Sequence, residues 1–255
     1  MDIPAHKRFK ILLIGDNCKD TYVYGTVNRL SPEAPVPVFQ PQHEVVLDGM
    51  AGNVCKNLEA LHCEVKFFHS EVSEKKRLID SRSKQHLIRI DQDAKCTPIL
   101  GAFIETSELN QYNAVVISDY NKGTVPSTLI DWLRKEYKGP IFLDTKKTDL
   151  AKFNGCYIKI NQLEKNLAKT LPDDEWLIVT KGEQGAEYLG HTLKPEMSDD
   201  VIDVCGAGDT FLAALVYRYL DTKDIRKAII FANRAAGLTV QHVGVYAPKL
   251  EELIP

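Results

Sequence analysis

Four short runs of apolar residues set the terms for the fold: Ile11-Leu12-Leu13-Ile14, Ala114-Val115-Val116-Ile117, Ile141-Phe142-Leu143 and Trp176-Leu177-Ile178-Val179. None alternates apolar with polar residues, so a strand built from any of them is apolar on both faces. Such strands belong to a parallel sheet covered on each side by helices. Helix-like stretches over 53–61, 127–137 and 208–220 fall between and after the runs. The repeated β, α order predicts a doubly wound α/β fold. At 255 residues the chain suits one large domain of this class or two small ones. No linker, internal repeat or low-complexity segment divides it, which predicts one domain over 1–255.

Each run ends in polar residues: Gly15-Asp16, Ser118-Asp119, Asp144-Thr145 and Thr180-Lys181. Polar residues terminate strands as a matter of course, but ligands of open parallel sheets gather at the carboxyl ends of the strands. Endings that combine acids with lysines favour a site there. Two segments break the rhythm. Residues 34–47, APVPVFQPQHEVVL, are extended, and three prolines deny them a central-strand position. Residues 85–91, QHLIRID, alternate, with Leu87, Arg89 and Asp91 on one face. A small separate sheet from segments near 20–48 and 76–92 fits two descriptions: a lid over a ligand site, or an edge hairpin that contacts a second subunit.

Composition narrows the partners. A net charge of −3 argues against a nucleic-acid binder, which carries a basic excess. No stretch approaches the roughly 18 apolar residues of a membrane span. The N-terminus, MDIPAHKRFK, lacks the apolar core of a signal peptide, so a cytoplasmic location is expected. Cys18, Cys55, Cys63, Cys96, Cys156 and Cys205 are scattered without a CxxC pair, which predicts free thiols and no zinc site. The histidines show no HExxH spacing.

Most chemistry is concentrated in Asp203-Val204-Cys205-Gly206-Ala207-Gly208-Asp209-Thr210, where an extended stretch meets the helical pattern FLAALVYRYL. Small residues at a helix start let a ligand approach the backbone. The unpaired N–H groups there, with the helix dipole behind them, attract an anion. Taken alone, Asp209 reads as an ordinary helix cap. Beside an anion site it suits phosphoryl transfer to a hydroxyl. The amides of Ala207, Gly208 and Asp209 would stabilise the phosphoryl group, and the Asp209 carboxylate would take the hydroxyl proton. The chain has no GxxxxGK[ST] loop and Gly15-Asp16 opens no GxGxxG, so P-loop and dinucleotide-binding readings lose their main support.

The GAGD segment resembles the signature of the ribokinase-like (PfkB) carbohydrate kinases. Further matches follow in order over nearly the whole chain: Gly15-Asp16-Asn17-Cys18-Lys19-Asp20, Ser31-Pro32-Glu33-Ala34-Pro35-Val36-Pro37-Val38, Ser118-Asp119-Tyr120-Asn121-Lys122-Gly123, Asp144-Thr145-Lys146, Thr180-Lys181-Gly182 and Phe231-Ala232-Asn233-Arg234. SPEAPVPV is the most specific of these and is similar to the kinases of D-glycero-β-D-manno-heptose 7-phosphate. The resemblance implies a three-layer α/β/α sandwich with a mostly parallel central sheet and a small β lid. It also implies ATP and Mg²⁺ as cofactors, a sugar phosphate as substrate, and a homodimer through the lid. A kinase of another sugar, and a sugar- or nucleotide-binding homologue without turnover, are the alternative readings.

Carried over by resemblance, Asp209 is the base and Gly206, Ala207 and Gly208 form the anion hole. Asp16, Asn53 and Gly49 hold the sugar hydroxyls, with Lys146 and Arg89 as contacts to phosphate. Asn161 and Glu164, from an NxxE element, serve the nucleotide phosphates, and Glu164 acts on the metal indirectly. Lys181, Gly182 and Asn233 fall where the family binds ATP. Three departures stand out. Met50 replaces the second glycine of a Gly-Gly-Ala-Ala-Asn pattern. Lys159-Ile160-Asn161 replaces Thr-Pro-Asn, which adds a positive charge toward the nucleotide phosphates. After Phe68 the family's glycine-rich turn, helix and strand are missing, so Ser70-Glu71-Val72-Ser73-Glu74 runs almost directly into Lys75-Lys76-Arg77.

Overall fold

A computed structural model describes residues 8–195 and 201–254. Its strands in chain order are β1 (Lys10–Gly15), β2 (Asn17–Leu30), β3 (Pro37–Met50), β4 (Glu64–Phe68), β5 (Val72–Asp80), β6 (His86–Gln92), β7 (Ala114–Asp119), β8 (Ile141–Thr145), β9 (Tyr157–Asn161), β10 (Leu177–Thr180), β11 (Ala186–Tyr188) and β12 (His191–Leu193). The helices are α1 (Ala51–Ala60), α2 (Thr106–Leu109), α3 (Ser127–Glu136), α4 (Gln162–Leu167), α5 (Ala207–Thr222), α6 (Ile225–Thr239) and α7 (Leu250–Leu253).

The uninterrupted apolar runs become the centre of an eight-stranded sheet ordered β12-β11-β10-β9-β8-β7-β1-β4. From β4 to β10 neighbouring strands are parallel, and β11 and β12 close one edge antiparallel. Alternate side chains serve opposite layers. Ile11, Leu13 and Val116 pack with residues of α1, α5 and α6, whereas Leu12, Ile14, Val115 and Ile117 pack with Leu129, Ile130 and Leu133 of α3. This is the three-layer α/β/α arrangement that strands apolar on both faces require.

A second sheet, ordered β3-β2-β5-β6, stands apart from the first. The proline-bearing segment forms β3 on one edge, and the QHLIRID segment forms β6 on the other. Proline lacks the N–H that a central strand must donate, which confines it to such a position. The two segments read from the sequence do not pair with each other; β2 and β5 lie parallel between them. Because β2 follows β1 across Asp16 alone and β3 runs straight into α1, this sheet is tethered at the carboxyl end of the main one. The expected shortening after Phe68 is visible too: only His69, Ser70 and Glu71 join β4 to β5, and β4 is left as the sheet edge. All six cysteines are free. Among the described residues no helix is long and apolar enough to cross a membrane.

Candidate active site

The turn into α5 brings together what the sequence separates. Gly206, the residue before the helix, has φ +77°, a left-handed conformation that glycine adopts without strain. A Cβ at this position would lie 2.8 Å from the side-chain nitrogen of Asn53, so the missing side chain also admits that contact. The first turn of any helix leaves its N–H groups without intrahelical acceptors. Here the Ala207 N–H turns to the carbonyl of Val204 at 3.4 Å, and the amides of Gly208 and Asp209, two of the expected anion-hole donors, meet no backbone acceptor among the described residues.

The carboxylate of Asp209 is 7% exposed and is held at both oxygens. Asn53 Nδ2 donates to one at 2.9 Å and the Tyr120 hydroxyl donates to the other at 3.0 Å. Asn53 is itself oriented by Asn57, whose amide donates to the Asn53 carbonyl and side-chain oxygens at 2.9 and 3.2 Å. Burial pushes the Asp209 carboxyl up to about 6; the Asn53 hydrogen bond opposes this, and the charge of Asp144 adds to it. Burial, followed by the charges of Asp209 and Asp144, holds the Tyr120 phenol well above its usual value, so it remains a donor. A base that titrates near neutrality is well matched to taking a hydroxyl proton.

A cavity of about 240 Å³ opens over this carboxylate, lined by Tyr120, Asp144, Lys146, Lys159, Asn161, Thr180, Gly206, Gly208 and Asp209. Asp144, Asn161 and Thr180 lie at the carboxyl ends of β8 to β10, where ligands of parallel sheets bind, and Lys159 reaches the cavity from the middle of β9. Lys159 and Asp144 form a buried ion pair at 2.6 Å on adjacent strands. A second groove of about 480 Å³ shares Asn161 and Thr180 with the first and adds Gln162, Leu163, Lys181, Gly182 and Gln184.

The remaining expected residues take varied places. Asn161 caps α4 by accepting from the Glu164 amide at 2.8 Å, and Glu164 returns the bond to the Asn161 N–H, a capping box. The other oxygen of Glu164 pairs with Lys146, whose ammonium lies 5.3 Å from the centre of the Tyr120 ring. Lys181 pairs with Glu187, and Asn233 donates to the Leu193 carbonyl at 2.8 Å, beside β12 and outside both cavities. Gly49 faces the carboxylate of Asp20, which a Cβ would approach to 2.1 Å.

Two placements differ from expectation. Asp16 is fully buried, and its oxygens accept the N–H groups of Tyr120, Lys122 and Thr124 at 2.8, 3.1 and 3.3 Å. In place of an open contact to sugar it anchors the loop that presents Tyr120. Arg89 lies on the outer edge strand, its side chain 60% exposed and forked onto Asp91, and it lines neither cavity. Tyr120, Asn57 and the pairing of Lys159 with Asp144 were not assigned roles from the sequence. For Tyr120 the available signal was its position directly after a strand that ends in Ser118-Asp119.

Among the described residues no group of three His, Cys, Asp or Glu side chains is placed to hold a metal ion. Magnesium on nucleotide phosphates needs only one or two carboxylates from the protein; Glu164 follows Asn161, Gln162 and Leu163 of the larger groove, and its oxygens are engaged by the Asn161 N–H and by Lys146.

Residues 150–253 match the pfkB family carbohydrate kinases. The curated relatives include the bifunctional protein HldE of a Nitratiruptor species, 31% identical over 300 aligned positions that cover 96% of this chain and 64% of that one. The bifunctional protein HldE of Helicobacter pylori is 32% identical, with 96% and 65% covered. The chain thus spans less than two thirds of the length of these relatives. Among solved structures, the ribokinase of Arabidopsis thaliana complexed with ribose and ATP superposes with a TM-score of 0.70 at 14% identity, over 97% of this chain and 98% of that one. The ribokinase of Thermotoga maritima gives 0.71 at 15% identity, over 96% and 98%. The fold is therefore that of ribokinase. Over residues 150–253 the chain is similar to the PfkB carbohydrate kinases, and over 96% of its length it is similar to the HldE proteins.

Proposed function

We propose that the chain, as one kinase domain, uses ATP to phosphorylate the anomeric hydroxyl of D-glycero-β-D-manno-heptose 7-phosphate, giving the 1,7-bisphosphate. The observation that carries the reaction type is the Asp209 carboxylate, buried, held at both oxygens and set beside the open amides of α5. The relatives named HldE and the SPEAPVPV segment support the heptose phosphate. In this reading Asp209 takes the hydroxyl proton, and the amides of Gly208 and Asp209 stabilise the phosphoryl group. Gly206 and Ala207 shape the turn, and Asn53 fixes the carboxylate and reaches the sugar beside Gly49. The nucleotide occupies the larger groove, against Asn161, Lys181 and Gly182, with Asn233 fixing the wall behind it. Mg²⁺ would neutralise charge on the nucleotide phosphates, with Glu164 reaching it through water and Lys146 adjacent. The lid sheet covers the sugar and pairs with the lid of a second copy.

Met50 favours a second reading, a kinase of another sugar or sugar phosphate. It sits at the end of β3 with φ +53°, in a position where the resembled pattern carries glycine. One assay separates the readings: ADP release against heptose 7-phosphate, other sugar phosphates and free sugars, with Asp209→Asn as control. Turnover of heptose 7-phosphate that disappears in the variant is the expected result. Turnover of another sugar alone selects the second reading, and nucleotide binding without turnover on any substrate sinks both.

A further inference from the structure

We propose that Lys159 is a built-in cation for the phosphoryl group in transfer, held ready by Asp144 and aimed at the open end of α5. The proposal deepens the kinase reading but does not depend on which sugar is used.

Lysine is almost never buried unless paired, yet the Lys159 side chain is 6% exposed within the main sheet. Its partner is Asp144 on the neighbouring strand, 7% exposed and 2.6 Å away. An ammonium carries three donors. Asp144 accepts one, and no other acceptor for Lys159 is found among the described residues. The spare donors lie in the cavity that also exposes Gly208 and Asp209.

Gly208 ties the ammonium to the helix end. A Cβ at Gly208 would sit 3.1 Å from Lys159 Nζ, so any other residue would press on the ammonium and shift it by a few tenths of an ångström. The glycine leaves the amides of α5 and the ammonium facing one volume from two sides. Charge balance points the same way. Asp144 and Asp209 line the cavity with two lysines, of which Lys146 is drawn to Glu164 outside the lining, so Lys159 is the ammonium fixed among the cavity's own residues. The family pattern Thr-Pro-Asn supplies no such charge from this strand; Lys159-Ile160-Asn161 does. During transfer the bond from phosphorus to the leaving ADP oxygen breaks and one to the sugar oxygen forms. The hydroxyl proton passes to Asp209, and Lys159 keeps its own proton throughout.

The test must separate this role from mere neutralisation of Asp144. Calorimetry without sugar, at fixed Mg²⁺, compares binding of ADP with that of the non-hydrolysable triphosphate AMP-PNP. Wild-type protein should favour AMP-PNP by about tenfold or more, as a single charge-assisted contact provides. Lys159→Met should lose that preference and melt at lower temperature, because Asp144 is left buried and unpaired. The double variant Asp144→Asn/Lys159→Met removes both charges. It should recover the melting temperature but not the triphosphate preference, and ADP release on an accepted sugar should remain about 100-fold or more below wild type. Recovery of preference and turnover in the double variant would show Lys159 to be only a counter-ion and overturn the proposal. A wild-type protein that binds AMP-PNP no better than ADP overturns it as well. Failure of heptose 7-phosphate as substrate leaves these binding results readable, since no sugar enters them.

Discussion

The two sheets bury their residues in opposite ways. In the main sheet β7 and β8 have no exposed position, whereas in the lid sheet β6 has no buried one. A strand enclosed on both faces has one low-energy place, and groups at its end inherit that placement. A strand exposed on both faces gives little free energy to hold its position, and such elements open most easily. The reaction chemistry sits on the first kind of element, through Asp144, Lys159 and the loop that follows β7. The lid contributes a buried ion pair, Arg77 of β5 with Asp20 of β2, beside Gly49. Substitutions in the body should therefore change rate, and those in the lid should change substrate binding.

The largest effect is expected at Asp209. Asp209→Asn keeps the size of the side chain but removes the base, and kcat should fall about 100- to 10,000-fold. In wild type, kcat/KM should fall tenfold per pH unit below about 6, where Asp209 becomes protonated. Stability should move the other way. The folded carboxyl titrates above its ordinary value of 3.8, so its contribution is full below that pH and lost as pH rises through about 6. The asparagine variant escapes this loss and should be more stable than wild type at pH 7.5 by about 1–3 kcal/mol, a gain that vanishes near pH 4. Melting curves of the two proteins at both pH values decide it, and a gain independent of pH would contradict the burial argument.

The difference between the sheets also explains what the sequence made legible. Ile11-Leu12-Leu13-Ile14 and its counterparts revealed the parallel sheet because enclosure on both faces leaves a plain apolar signature. GAGD revealed the helix end because glycine there answers to backbone geometry. In contrast, β2, NCKDTYVYGTVNRL, mixes polar and apolar residues, since its two lid neighbours and its attachment to the body make different demands along its length. Its role as a central lid strand was not legible. Tyr120 lies 89 residues from Asp209, and Lys159 lies 15 from Asp144. Such pairings arise only when strands are laid side by side. Asp16 was legible as a strand-end acid, but the loop amides that occupy it were not.

In the lid the next largest effect is expected at Arg77→Met. Asp20 would stay buried without its cation, and breaking a buried pair costs about 3–5 kcal/mol when the whole fold must bear it. Because exposed strands such as β6 give the lid little to hold it in place, much of that cost should appear as a shifted lid, with a lower melting temperature for this sheet. The sugar KM should rise about tenfold while kcat stays within about threefold, the pattern of lost uniform binding. An equal fall in kcat and kcat/KM would place Arg77 with the chemistry and break the division between the sheets.

Where lid meets body, Met50 adopts φ +53° and ψ −132°, a region that costs a non-glycine residue about 1–3 kcal/mol. Its side chain is 5% exposed, so truncation also loses burial. Comparing Met50→Gly with Met50→Ala cancels that loss and leaves the backbone. Glycine is ordinarily the less stable of the two in regular structure by roughly 0.5–1 kcal/mol. At this position the order should reverse, with glycine ahead by about 1 kcal/mol or more in denaturant unfolding. Alanine proving the more stable would mean that the backbone relaxes once the methionine is gone.

The smallest effect should come from the outer strand of the lid. Ile88 and Ile90 are 50% and 46% exposed on β6, so little of either is sheltered by the protein's own fold. Ile88→Thr and Ile90→Thr each retain a β-branched side chain suited to a strand. Unfolding free energy should shift by no more than about 0.5 kcal/mol for either, as for other surface positions. Protein concentration is the variable that gives the experiment its force. Measured at concentrations where the wild type is monomeric, the small shift should hold. If it grows at high concentration, with sedimentation showing loss of a dimer, these side chains are covered by a second copy. A shift above about 2 kcal/mol in the monomer would mean that β6 is packed as tightly as the main sheet, and the contrast between the two regions would fail.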